Sequence, residues 1–422
     1  MLATARSSIE PLRERPFRLL WIGQATSAVG DAMTPVAVIF AVLETTGSAG
    51  DLGIVLAAFT LSHAVFILIG GVWGDRLERR LVMLSCDLIR AAAQLTLAAL
   101  LIAGSPRLWE FVVLAVIIGS AGSFFGPAST GLIPQTISAG RLQQANALIA
   151  LTRSGSWIVG PALSGVIVSA AGPGAVFAID GVTFLVSATF LSVLRVDAAM
   201  SAERTSFFAE LAEGWREVRS RQWLWASLLS FGVGNFAWGA VQVLGPLVAE
   251  QDLNGAASWG FIATAGGAGG LMGGVVALRW RPSRPLLVGN VVILLLAPYV
   301  AAFVVPLPTA ALAVLSLFAF GSIVVANTLW ETVLQSSIPN ETLSRVSSYD
   351  WAVSLVFMPL GFALWGPISD WIGVDATLLL SVAIIVASKL GVMLVPEVRA
   401  MRRHEAAAVA TEESTATRAV AS

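Results

Sequence analysis

The chain has 422 residues, of which 56% are hydrophobic and only 12% charged, with a formal net charge of −1. A soluble surface ordinarily needs about a quarter of its residues charged, and a near-neutral chain offers no field to nucleic acid. A single cysteine, Cys86, excludes an intramolecular disulfide or a cysteine metal cage, and two histidines leave little for a catalytic or metal-ligating set. Lys389 is the only lysine and stands in Ser388-Lys389-Leu390, so no Gly-Lys-Ser/Thr phosphate loop exists for ATP. No enzyme, no cofactor and no metal are expected.

Apolar runs of about 20 residues, the length that crosses a bilayer as a helix, recur along the whole chain. They lie at 17–43, 51–73, 82–104, 110–134, 144–170 and 174–194, then at 224–248, 257–279, 285–305, 309–335, 347–369 and 376–396. The fold predicted is all-α and integral to the membrane, with twelve transmembrane helices in two pseudo-symmetric six-helix halves. The first run is too long for a signal-peptide core and has no small-residue cleavage site, so it is expected to stay in the protein. Residues 1–16 form an N-terminal segment, 17–194 the first half, 195–223 a linker, 224–396 the second half and 397–422 a tail. The tail is rich in Ala, Thr and Glu and is expected to be disordered.

Arginines set the orientation. With both termini in the cytoplasm, Arg13, Arg15, Arg18, Arg76, Arg79, Arg80, Arg141, Arg279, Arg281, Arg284 and Arg345 all fall inside, and Arg107 alone faces out. The expected location is the cell membrane. In the linker, Phe208, Leu211, Trp215 and Val218 follow helical spacing with charges opposite, predicting an amphipathic helix on the inner surface.

Internal repeats support two halves. Ile133-Pro134 followed by Arg141 returns as Ile338-Pro339 followed by Arg345, about 204 positions later. Gln24, Ser27, Asp31 and Pro35 align with Asn235, Trp238, Gln242 and Pro246 at an offset of 211.

A charged side chain inside a span costs about 3 kcal/mol on insertion scales, so each one needs a reason. Asp31 lies near the midplane of the first span and shares a face with Gln24 and Ser27 at i, i+3, i+7 spacing. It is read as a proton carrier or substrate contact, with a structural carboxylate as the alternative. Asp180 in the sixth span is a helper for Asp31 or a structural group. Asn235, Trp238 and Gln242 supply hydrogen bonds and a stacking surface, or simple polar adhesion between helices. Asn327, Glu331 and Gln335 share a face of the tenth span, with Glu331 near its inner end and suited to gating or structure. Asp87 and Arg90, three apart, suggest a salt bridge shared with the 75–80 loop. Arg153 either attracts an anionic cargo or snorkels to the surface. His63 and Lys389 are read as packing groups. The four-residue glycine spacings Gly266-Gly270-Gly274 and Gly269-Gly273 predict a close helix contact.

Gly71, Asp75, Arg76, Arg79 and Arg80 resemble the loop joining the second and third helices of major facilitator superfamily transporters, with Glu78 in place of a usual glycine. Phe17 through Gln24 with Ser27, Gly30 and Asp31, Asp87 through Arg90, Phe125-Gly126-Pro127-Ala128 and Phe177-Ala178-Ile179-Asp180 are similar to the drug/proton antiporter-3 branch, which includes macrolide efflux proteins and the enterobactin exporter. Gly160-Pro161 with Ser164 and Gly165 resembles the antiporter signature of the fifth span. The fourth span lacks the arginine found there in other antiporter branches.

The resemblance implies the major facilitator fold and proton-driven export of bulky, often natural-product molecules by a protein functional as a monomer. Gly71, Asp75, Arg76, Arg79, Arg80, Asp87 and Arg90 then belong to the gate. Phe124, Phe125, Trp238 and Trp330 beside neutral amides suit a large, mostly apolar cargo. A siderophore exporter, an importer or symporter of a metabolite and a non-transporting scaffold are the alternatives. The partners expected are a small-molecule substrate, protons and the lipid bilayer, and no nucleic acid.

Overall fold

Glu14-Arg15-Pro16 opens the first membrane helix, because a proline in the first turn forfeits only an N–H that has no helical partner. The computed structural model describes residues 10–74, 78–104, 106–196, 215–216, 218–305, 307–338 and 340–402, without the side chains of 67–74, 139, 340–345, 347–348, 351–352 and 354–355. Helix α1 runs Arg15–Thr46 and stops where Gly47 takes the left-handed conformation, φ 66°, and donates its N–H to the Leu43 carbonyl at 2.8 Å. Then come α2 (Ala49–Gly74), α3 (Arg79–Ala103), α4 (Leu108–Thr136), α5 (Leu142–Ala171) and α6 (Pro173–Val193). The later helices are α7 (Gln222–Asp252), α8 (Gly255–Arg279), α9 (Pro285–Val304, loosened by a 3₁₀ turn at Ile293–Leu295), α10 (Thr309–Ser337), α11 (Asn340–Ile372), α12 (Val374–Met393) and the short α13 (Pro396–Ala400).

Each of the twelve expected spans lies on one of these helices. Eleven helices, α1–α10 and α12, are long and apolar enough among the described residues to cross a membrane. The remaining span, 347–369, is helical within α11. Two connections are a single residue: Gly172 (φ 78°) between α5 and α6, and Gly373 (φ 86°) between α11 and α12. Only glycine enters that region of φ without strain. Of the expected linker helix, residues 197–214 and 217 lie outside the described residues, as does the tail from 403. Trp215 packs its ring 5.6 Å from Tyr349.

The chain divides into two compact units, Met1–Glu203 with Gly245–Thr264, and Arg204–Leu244 with Ala265–Ser422. In the first, Phe17, Leu20, Met83, Leu132 and Leu191 form a buried cluster. In the second, Trp223, Leu224, Trp330, Val333 and Leu334 do the same. Large apolar side chains such as Ile102, Leu151, Val166 and Trp371 are exposed, as lipid-facing positions of a membrane protein must be.

Close approach between helices rests on particular glycines. A Cβ on Gly30 of α1 would collide with the Asp180 carboxylate and would lie 2.6 Å from the Thr183 hydroxyl of α6. On α8 the contact falls on Gly269 and Gly273, whose added methyls would overlap the backbones of Leu317 and Gly321 on α10, whereas Gly274 faces open space. Of the two glycine spacings read from the sequence, the Gly269–Gly273 pair meets α10 backbone.

Candidate functional site

Four helices of the first unit, α1, α2, α3 and α5, bring polar groups to one cavity of about 590 Å³. Gln24, Ser27, Asp31 and Thr34 of α1 all line it, so the i, i+3, i+7 face of the sequence is a real face. Gln24 donates to the Ser129 hydroxyl of α4 at 2.8 Å. The Asp31 carboxylate forms an ion pair with Arg90 of α3, whose guanidinium carbon lies 4.0 Å from the centroid of the Phe184 ring. The Asp31 side chain is 41% exposed and that of Arg90 only 11%. The carboxylate is therefore the wetted half of the pair, reachable by water or cargo. Arg153, His63 and Phe125 face the same cavity. His63 Nδ1 lies 3.2 Å from the Gly119 carbonyl, which can only accept, so a hydrogen bond there is donated by Nδ1.

Asp87 does not make the salt bridge with Arg90 that its spacing suggests. It is fully buried, and among the described residues it makes no ion pair and has only the Ser187 hydroxyl beside its carboxylate. Arg90 is turned toward α1 instead, and the loop expected to share the bridge, Asp75 and Arg76, lies outside the described residues. Asp180 is also fully buried and is not among the cavity-lining residues. It accepts from Gln94 at 2.7 Å, Thr34 at 2.9 Å and Thr183 at 3.2 Å, and so joins α1, α3 and α6. That is the geometry of a structural acceptor, the second of its two sequence readings. Phe124 turns away to Phe66, ring centroids 6.2 Å apart, while Phe125 lines the cavity.

The second unit holds a pocket of about 390 Å³. Asn235, Trp238, Asn327, Trp330 and Glu331 line it as their spacings predict, and Gln242 does not. Trp330 donates its indole N–H to Asp350 at 2.9 Å and meets Phe231 edge-on at 4.8 Å. Lys389, read from the sequence as a packing group, also lines the pocket. Its ammonium, on a residue 4% exposed, donates to the Ser230 hydroxyl at 3.1 Å and carbonyl at 3.3 Å, and sits 4.9 Å from the Phe231 ring. A lone lysine within a membrane span is a functional candidate by default.

The profile of the Major Facilitator Superfamily matches residues 20–353. The chain belongs to the major facilitator superfamily. Macrolide efflux protein A of Streptococcus pyogenes is 26% identical over 391 residues, 91% of this chain and 96% of that one. Multidrug efflux pump Tap of Mycolicibacterium fortuitum is 29% identical over 384 residues, 86% of this chain and 91% of that one. A bacterial homolog of the human lysosomal transporter Spinster shares the fold at TM-score 0.70 and 14% identity, covering 91% of this chain and 97% of that one. The nucleoside transporter NupG does so at TM-score 0.69 and 14% identity, over 90% of this chain and 98% of that one. The protein is a multi-pass membrane transporter and not an enzyme.

The superfamily loop can be followed from Glu78 onward; Gly71 lies in the last turns of α2. Glu78, the residue that replaces the usual glycine, bonds Arg80 at 3.0 Å. Arg80 also donates to the carbonyls of Ser192 and Leu194 at 3.2 Å each, capping the end of α6 where the helix dipole favours a cation. Arg79 donates to the Gly131 carbonyl of α4 at 2.7 Å. In the fifth-span signature, a Cβ on Gly160 would press on Ala32 of α1, and one on Gly165 would lie 2.6 Å from the Ala256 carbonyl. Both glycines therefore mark positions of backbone-close packing around Pro161, which itself sits inside α5.

Proposed function

We propose that this transporter is a proton-driven exporter of bulky hydrophobic or amphipathic molecules, working by alternating access in the cell membrane with both termini in the cytoplasm. The observation that carries the reading is the Asp31–Arg90 pair on the wall of the 590 Å³ cavity, with its carboxylate the exposed partner. Protonation of Asp31 removes the charge that holds Arg90, loosening α1 from α3; deprotonation restores the pair. A cavity that alternates between these two states on opposite sides of the membrane couples proton entry to cargo exit. The aromatic and amide lining suits a large cargo with scattered polar groups, and the names of the macrolide and multidrug efflux relatives agree. Arg153 on the same wall favours a second reading, a cargo carrying an anionic group such as a siderophore.

The test is substrate uptake into inverted vesicles under an imposed pH gradient, with a panel of macrolides, lipophilic dyes and siderophores. Asp31→Asn should bind cargo yet fail to accumulate it. Gradient-driven accumulation at the wild-type rate in that variant defeats the coupling role, and accumulation of sugars or small acids alone defeats the cargo class.

A further inference from the structure

A third concavity, of about 260 Å³, lies where α8 ends and α9 begins. Its wall takes Trp280 and Arg281 from the connection, Thr328 and Thr332 from α10, and Arg402 from the chain after α13. We infer that this pocket binds the phosphate headgroup of an anionic phospholipid.

Two arginines, 121 positions apart in sequence, line one small space. No acidic residue lines it, and among the described residues no carboxylate pairs with either arginine. Like charges held together repel, and an anion between them turns that cost into attraction. The hydroxyls do not serve that anion as donors. Thr328 already donates to the Val324 carbonyl at 2.8 Å and Thr332 to the Thr328 carbonyl at 2.7 Å. Among the lining residues the donors left for an anion are the two arginines, whose planar forks match phosphate oxygens, and Trp280.

Position names the source of the phosphate. Arg279 closes an apolar, membrane-length helix and Pro285 opens the next, so the pocket sits at the membrane–water interface. Leu278, 77% exposed, and Trp280, 44% exposed, flank it as an acyl-chain contact and an interfacial anchor. The pocket is smaller than the other two cavities and has room for a headgroup rather than a bulky cargo. A basic recess at this depth meets the anionic lipids of a bilayer leaflet. The inference holds whichever direction the cargo moves.

Native mass spectrometry of the full chain, titrated with phosphatidylglycerol and with phosphatidylcholine of the same acyl chains, tests it. Wild type should retain phosphatidylglycerol about tenfold more tightly. The double variant Arg281→Gln, Arg402→Gln should lose that preference, while Arg281→Lys, Arg402→Lys keeps most of it and shows that charge rather than folding is at issue. An unchanged preference in the glutamine variant overturns the inference. So does displacement of the lipid by inorganic phosphate that binds equally well alone, which makes free phosphate the ligand. A third overturning result is lipid binding that emerges only when Glu405, Glu412 and Glu413 are all changed to Gln, since the tail is then the occupant.

Discussion

Arg90 reaches across from α3 to pair with Asp31 on α1, passing over Asp87 one turn away on its own helix. The ring of Phe184 on α6 lies under the same guanidinium, 4.0 Å from its carbon to the ring centroid, and adds a cation–π contact to the pair. The pairing leaves two acids with opposite circumstances: Asp31 paired and wetted, Asp87 dry and without an ion pair.

Replacing Arg90 tests that pair. Arg90→Ala removes the fork and uncovers Phe184, and transport should fall below about a tenth of wild type with a stability loss of about 1–3 kcal/mol. Arg90→Lys keeps the charge but not the stacked plane and should fall between the two. Initial rates in inverted vesicles and melting in detergent give both numbers. Wild-type transport in the alanine variant would refute the role of the pair.

The two buried acids should respond oppositely to amidation. Asp180→Asn keeps one acceptor oxygen but turns the other into an NH₂ group, facing either Thr183 or the Thr34 and Gln94 donors, and should cost about 1–3 kcal/mol. Asp87→Asn removes a buried charge that has no ion-pair partner and only the Ser187 hydroxyl beside it, and should be neutral or stabilising. Paired thermal melts decide. Equal losses in both variants contradict the assignment of Asp180 as the structural acceptor.

Helix spacing gives a third comparison. Gly30→Ala drives a methyl into Asp180 and Thr183 and should destabilise by about 1–3 kcal/mol. Gly122→Ala meets only the His63 ring at 3.7 Å, an ordinary contact, and should be tolerated. Expression yield and melting temperature separate them; a silent Gly30→Ala means α1 and α6 do not pack as described.

At the membrane edge, Glu14 ties the start of α1 to the α4–α5 corner. Its carboxylate accepts from the Ser138 hydroxyl at 2.7 Å and N–H at 2.9 Å, and from Arg141 at 3.0 Å. The Ser138 bonds, chiefly, with help from Arg141, hold its pKa below the usual carboxylate value. A depressed folded pKa means stability present above the unfolded pKa and lost as pH falls through the folded one. Because the group is near solvent, the effect is at most about 1 kcal/mol. Glu14→Gln should lower the melting temperature slightly at neutral pH and converge with wild type in acid. A difference that grows on acidification rules the latch out.

Much of this was legible in the sequence because membrane helices announce themselves by apolar length and their faces by simple spacing. Gln24, Ser27 and Asp31 reach one cavity, and Asn235, Trp238, Asn327, Trp330 and Glu331 reach one pocket, as periodicity requires. Gln242 does not, because seven residues beyond Asn235 it has run past the end of that pocket. What spacing could not supply was the partner of a side chain with two choices. Arg90 had Asp87 nearby in sequence and Asp31 nearby in space, and only packing decides between them. Asp350 and Lys389 were likewise invisible as pocket residues, since they come from helices α11 and α12, far along the chain from Asn235.

The one-residue turns at Gly172 and Gly373 have a mechanical meaning. A longer loop would let one helix slide while its neighbour stays still. With a single glycine of positive φ there is no slack, so the end of α5 cannot slide away from the start of α6, nor the end of α11 from the start of α12. The same economy leaves a protease or an antibody no strand of loose chain to grip at either turn.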